Sequence, residues 1–245
     1  MTYFNKSMIK NLATNTDYKS FKGEVLGHLE KILEINKNGN PKIYSTEIAG
    51  TGENANQRAI IDSKTTSFIN HDIDWVDIEI PVIPGGKARR DCVDLIGLTK
   101  NEKKIVLVEL KDQGGDNPFD AAFQLIDYYI NIQENYKELN LHNNNKEYRN
   151  FGDMYDDRKP DNENTILVVA APTTYWDEWS ESKINNFLDL LKYFKETIHE
   201  INFNINFAKY PHEDFIKQKG NNKKYTPKVE NNQNRNWESV VQPNS

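Results

Sequence analysis

Asp94, Glu109 and Lys111 are the residues of this 245-residue chain whose types and spacing can do chemistry together. They lie on two strand-like runs, Cys92 to Leu98 and Lys104 to Leu110, joined by the polar turn Thr99 to Lys103. With the turn centred between Asn101 and Glu102, Asp94 falls opposite Glu109, and facing residues of paired strands share one side of a sheet. Lys111, two residues further on, points the same way because side chains alternate along a strand. Two carboxylates placed together repel unless a cation bridges them. Oxygen donors of this kind suit Mg²⁺ or Mn²⁺, with water in the remaining positions. A lysine beside such a centre can orient or deprotonate an attacking water, while the metal stabilises charge on a phosphodiester.

The elements that must hold these residues follow from pattern. Phe21, Val25, Leu29, Ile32 and Leu33 recur at helical steps and predict a first helix over Asp17 to Ile35, ended by the turn-forming cluster Asn36 to Pro41. Lys42 to Ala49 reads as a short strand, and a polar, glycine-bearing loop then runs to about Lys64. From Trp75 to Ile83 the chain alternates, which puts Val76, Ile78, Ile80 and Val82 on one face of a strand closed by Pro84-Gly85-Gly86. Ile105-Val106-Leu107-Val108 is too continuously apolar for a half-exposed strand and belongs in the middle of a sheet. After Gly114-Gly115 a helix is expected from Pro118 to Leu139, with Asp116 or Asn117 as its cap. Leu141 to Asn164 reads as an Asn- and Asp-rich loop, Thr165 to Ala171 as a buried strand, Trp176 to Glu200 as a helix and Ile201 to Tyr210 as a last strand. Residues 1–218 are thus expected to form one α/β domain around a mixed sheet, and residues 219–245 a polar, disordered tail.

The segment Asp94 to Lys111, an aspartate followed after fourteen residues by Glu-Leu-Lys on a hydrophobic strand, resembles the core motif of the PD-(D/E)XK nuclease superfamily. Gln124 and Tyr128, four apart on the following helix and so on one face of it, resemble the Gln-x-x-x-Tyr pair of the RecB-type branch. The resemblance implies a restriction-endonuclease-like α-β-β-β-α-β core, a mixed central sheet flanked by helices. It also implies a metal held by Asp94, Glu109 and the main chain of Leu110, with Lys111 assisting the water. Gln124 and Tyr128 would support the site and touch substrate. Glu24 on the first helix resembles the helical glutamate that often completes such a centre, with Glu30 and Glu34 as competitors. Val93 stands where the literal motif has proline. Asp91 is a rival for the first carboxylate, although strand parity turns it away from Glu109.

What the resemblance implies is a DNA nuclease using Mg²⁺ or Mn²⁺, in a setting of defence, restriction or repair. The partner would be DNA or another nucleic acid, with a homodimer allowed. The net charge of −6 carries no basic footprint, yet charge is uneven. Gly85 to Lys111 holds seven Lys and Arg against four Asp and Glu, and Lys209 to Lys228 six lysines against Glu213 and Asp214. Gly85-Gly86 with Lys87, Arg89 and Arg90 could cradle phosphates, although no nucleotide-loop pattern surrounds it, and a hairpin entry that approaches a nucleic-acid backbone is an equally good account. The five histidines show no ligand spacing, and Trp176 and Trp179 read as core or interface rather than as a stacking platform. No run of eighteen apolar residues is present, so no membrane span is expected. One cysteine, Cys92, reads as a small core residue of a cytoplasmic protein. The competing readings are a nuclease-fold module that binds nucleic acid or protein without cutting, and an interaction protein with no metal site.

Overall fold

Burial on both faces organises the sheet. Every residue of the strand Ile105–Leu110 is buried, as its unbroken apolar run requires, and strands pair on either side of it. The computed structural model describes residues 56–57, 60–61, 63–82, 92–112, 118–137, 139, 141, 154, 158–177, 179–197, 203–210 and 235–241. The expected first helix (Asp17 to Ile35) and the expected strand Lys42 to Ala49 lie outside these residues.

The elements are β1 (Thr65–Phe68), β2 (His71–Pro81), β3 (Cys92–Thr99), β4 (Ile105–Leu110), α1 (Pro118–Asn135), β5 (Thr165–Pro172), α2 (Thr173–Trp176), α3 (Glu181–Thr197), β6 (Ile205–Tyr210), β7 (Arg235–Asn236) and β8 (Glu238–Ser239). They form an α/β protein with one mixed sheet in the order β7-β1-β2-β3-β4-β5-β6-β8. β1 to β4 are an antiparallel meander, and β4, β5 and β6 run parallel. Between β4 and β5 the chain passes through α1, the long crossover that parallel strands need. Among the described residues no helix is long and apolar enough to cross a membrane.

The two faces of the sheet feed two apolar clusters. Ile105 and Leu107 join Ile96, Leu98 and the inner side of α1, whereas Val106, Val108 and Leu110 join Leu95, Val168 and Ala170. Phe119 and Phe123 of α1 meet Phe187 of α3 with ring centroids 4.7 and 5.3 Å apart, which joins the two helices over the first face. The β3–β4 turn is polar, and Lys104 Nζ lies 2.6 Å from Glu102 Oε2. The lysine donates to that carboxyl and attracts it, which holds Glu102 below its ordinary pKa.

Four expectations need correction. The strand expected from Trp75 begins at His71, and its regular alternation fails. Val76, Ile80 and Val82 join the α1-side cluster while Ile78 joins the other. A register shift between Trp75 and Asp77 and a φ of 50° at Glu79 rotate the strand between those positions. The loop expected up to Lys64 contains helical residues at Asn56, Gln57, Ile60 and Ile61. The helix expected from Trp176 to Glu200 starts later, at Glu181, because the Ser180 carbonyl accepts from the Lys183 and Ile184 N–H groups and begins α3 there, while Trp176 ends the separate short helix α2.

The fourth correction concerns the tail. Residues 235–241 are ordered, with β7 parallel on β1 and β8 antiparallel on β6. Asn236 and Glu238 are two residues apart, so no more than about 7 Å of chain joins the two edges of the sheet. The sheet is therefore curled around its second cluster. Trp237 seals the gap, 5% exposed and packed on Phe68, Trp75 and Tyr210. Its apolar burial outweighs the polar character of the neighbouring sequence.

Candidate functional site

The β3–β4 register runs through Leu98↔Ile105, Gly97↔Val106, Ile96↔Leu107 and Leu95↔Val108 and stops there. β3 stays paired with β2 as far as Cys92, and β4 stays paired with β5 through Leu110. The two strands therefore part company at Asp94, whose position continues the register opposite Glu109. The cause is the aspartate itself. The Leu110 N–H, next in line to bond β3, donates instead to Asp94 Oδ2 at 2.6 Å. A β-residue presents its N–H and carbonyl to the same neighbour, so the Leu110 carbonyl also faces this gap.

Glu109 and Lys111 continue the odd-numbered side of β4. Lys111 is held by its own N–H, which donates to the Ala170 carbonyl at 2.9 Å. Lys111 Nζ donates to Glu109 Oε1 at 2.9 Å, and the two residues are 6% and 2% exposed. An ion pair this deep tolerates desolvation only because each charge has its partner in place. The pair leaves one net negative charge in the group of Asp94, Glu109 and Lys111.

Gln57 enters from outside the sheet and was not singled out by the sequence. Its Nε2 donates to Asp94 Oδ1 at 2.8 Å, so both oxygens of that carboxylate are engaged. The neighbouring Asn56 donates from Nδ2 to the Tyr210 hydroxyl at 3.1 Å and pins the same helical residues to the end of β6. The only signal was local. Ala55-Asn56-Gln57-Arg58-Ala59-Ile60-Ile61 contains no Gly or Pro and ends on apolar residues, which permits a helical turn.

Glu79 is a second residue missed. The pairs Ile78↔Leu95 and Ile80↔Val93 flank it, which puts it on β2 opposite Asp94 of β3. It is 6% exposed and holds φ at 50°, a backbone region that side chains adopt at a cost. The whole group gathers where β4, β5 and β6 end, and ligands of sheets with parallel strands bind outside their carboxyl ends.

Gln124 and Tyr128 are brought together on α1, where Gln124 Nε2 donates to the Tyr128 hydroxyl at 2.6 Å. Tyr128 is buried within the α1-side cluster and Gln124 is half-buried. Cys92, Trp176 and Trp179 sit as core or near-core residues, and the Trp176 indole donates to the Ala208 carbonyl at 2.9 Å. Glu24, its competitors Glu30 and Glu34, Asp91, and the basic residues Lys87, Arg89 and Arg90 lie outside the described residues.

No family model matches this chain, and neither the curated proteins nor the solved structures contain a match to it. The site therefore rests on its own chemistry. Among the described residues no group of three or more His, Cys, Asp or Glu side chains is placed to hold a metal ion. Asp94 and Glu109 do supply two carboxylates, and the Leu110 carbonyl a third oxygen. Mg²⁺ is commonly held by one or two carboxylates with waters completing its shell, so this donor set fits it in kind.

Proposed function

We propose that this protein is a nuclease of the PD-(D/E)XK type that hydrolyses phosphodiester bonds in DNA with Mg²⁺ or Mn²⁺. The observation that carries the reading is the Leu110 N–H bound to Asp94 Oδ2, at the point where β3 and β4 stop pairing beside the Glu109–Lys111 pair. In this reading β2, β3, β4, α1 and β5 are the β-β-β-α-β part of a restriction-endonuclease-like core. Asp94 and Glu109 hold the cation together with the Leu110 carbonyl, and the cation, when bound, stabilises charge on the phosphate and lowers the pKa of a water. Lys111, whose Nζ donates to Glu109 Oε1 at 2.9 Å, would orient the attacking water beside that carboxylate. Gln124 and Tyr128 act as one hydrogen-bonded unit toward substrate.

A second reading has an observation of its own. Lys111 is buried and already engaged with Glu109, and among the described residues no group of three or more His, Cys, Asp or Glu side chains is placed to hold a metal ion. A nuclease-fold module that binds nucleic acid or protein without cutting it would keep that pair closed. One experiment separates the two. Pure protein is incubated with linear, circular and single-stranded DNA, with Mn²⁺ or with EDTA. Mn²⁺-dependent products that vanish in Glu109→Gln support the nuclease, and intact DNA in every lane sinks it.

A further inference from the structure

Gln57 is 2% exposed, and its amide is fixed at one end by the 2.8 Å bond from Nε2 to Asp94 Oδ1. The other end, Oε1, is buried and accepts no hydrogen bond. Exchanging the two ends is not open to this amide, because Oε1 turned toward Asp94 would set two acceptors against each other. An unsatisfied amide oxygen in the interior costs free energy, so it needs an explanation. The helical residues that carry Gln57 are also held by Asn56 on the Tyr210 hydroxyl, which keeps the oxygen from swinging out to water.

On the reading of this sheet end as a divalent-cation site, we propose that Gln57 Oε1 is a third side-chain oxygen donor to the cation held by Asp94 and Glu109. In the metal-free protein an amide serves here where a carboxylate would not. It donates to Asp94 from Nε2 before the cation arrives and offers Oε1 once it is there. It also adds no charge to a site whose two carboxylates are balanced by a single lysine. Side-chain amide oxygens are ordinary ligands of hard cations.

The test is a Mn²⁺ titration of the full chain, with free Mn²⁺ counted by electron paramagnetic resonance and melting followed in EDTA. Wild type, Gln57→Met and Gln57→Glu are compared. Gln57→Met keeps the volume and should bind Mn²⁺ at least about tenfold more weakly, the scale on which groups that hold metal ligands act. Gln57→Glu should melt lower than wild type in EDTA, because it replaces a donor to Asp94 with a second negative charge. It should nevertheless bind Mn²⁺ more tightly than wild type, since added ligand charge tightens cation sites. A residue that only positions Asp94 predicts the opposite sign for Gln57→Glu. Weaker binding in both variants, or binding equal to wild type in both, overturns the ligand role and leaves the cation site standing. Wild type that takes up no Mn²⁺ overturns the cation site and this proposal together.

Discussion

Asp94 accepts the Leu110 N–H on one oxygen and the Gln57 amide on the other, so its carboxylate closes two gaps at once. Asp94→Asn should therefore be less stable than wild type in EDTA by about 1–3 kcal/mol, because one face of the new amide presents N–H to a donor. From spacing alone, relief of repulsion from Glu109 suggests that the same change is neutral or stabilising. The two donors reverse that sign. Adding Mn²⁺ at about ten times its dissociation constant should stabilise wild type by roughly 1.4 kcal/mol, a few degrees of melting temperature, and leave Asp94→Asn unmoved. Equal responses of the two proteins to Mn²⁺ would remove Asp94 from any cation site.

Gly97 sits between Trp75 on β2 and Val106 on β4. A Cβ there would lie 2.6 Å from Ile73 Cγ2, 2.9 Å from Trp75 Cε3 and 3.0 Å from the Asp74 carbonyl. The first two are core side chains and the third is backbone, so none yields cheaply. Gly97→Ala should destabilise by about 1–3 kcal/mol through overpacking. Urea denaturation that shows no loss would mean the strands can slide apart at this point.

Much of the hairpin was legible in the sequence. A short polar turn and one fully apolar strand leave few registers, so the placement of Asp94 toward Glu109 follows from counting. β2 was not legible, since Val76, Ile78, Ile80 and Val82 alternate perfectly in sequence while Glu79, with its φ of 50°, separates them in space. Backbone irregularity leaves no trace in a hydrophobic pattern. Gln57 and Trp237 were missed for another reason. Each is a single residue in a polar stretch, and it matters only through partners far along the chain, Asp94 for one and Phe68, Trp75 and Tyr210 for the other.

The Gln124–Tyr128 pair lends itself to a double-mutant cycle. Tyr128→Phe removes the acceptor of a 2.6 Å bond, which should cost about 0.5–1.5 kcal/mol of stability. If the two work on substrate as a unit, Gln124→Ala and the double variant should lose the same turnover as Tyr128→Phe alone. Lower melting temperatures with unchanged turnover would make them packing residues.

Removing residues 235–245 should cost far more than a disordered tail would. Trp237→Ala alone should destabilise by about 3–5 kcal/mol, the usual scale for emptying a buried tryptophan site. A contribution of the C-terminal lysines to DNA binding has to be measured without touching β7 and β8. Replacing Lys223, Lys224 and Lys228 by glutamine should leave the melting temperature alone and flatten the salt dependence of DNA affinity, by about 0.9 in slope for each phosphate no longer neutralised. An unaltered slope would show that these lysines do not meet the phosphates.

Lys111 and Glu109 form a buried pair, and that changes what its mutants report. At a strand end Lys111→Ala reads as harmless to the fold. With the two side chains 7% and 3% exposed, it instead leaves the Glu109 carboxylate buried beside Asp94 without its ammonium. A loss of about 3–5 kcal/mol is expected, and poor activity of that variant would not by itself implicate the lysine in chemistry. Lys111→Met combined with Glu109→Gln keeps volume and removes both charges together, so its stability should return most of the way toward wild type. Mn²⁺ should then no longer stabilise this protein, since a carboxylate ligand has gone. The informative comparison is Lys111→Met alone, measured at a temperature where it is still fully folded. There Mn²⁺ binding should persist, because lysine is no ligand and its removal exposes Glu109 to the cation. DNA cleavage should fall by about a hundredfold to ten-thousandfold, the range of general acid–base assistance. A folded, Mn²⁺-bound Lys111→Met that cuts at more than half the wild-type rate would leave Lys111 a structural counter-ion and nothing more.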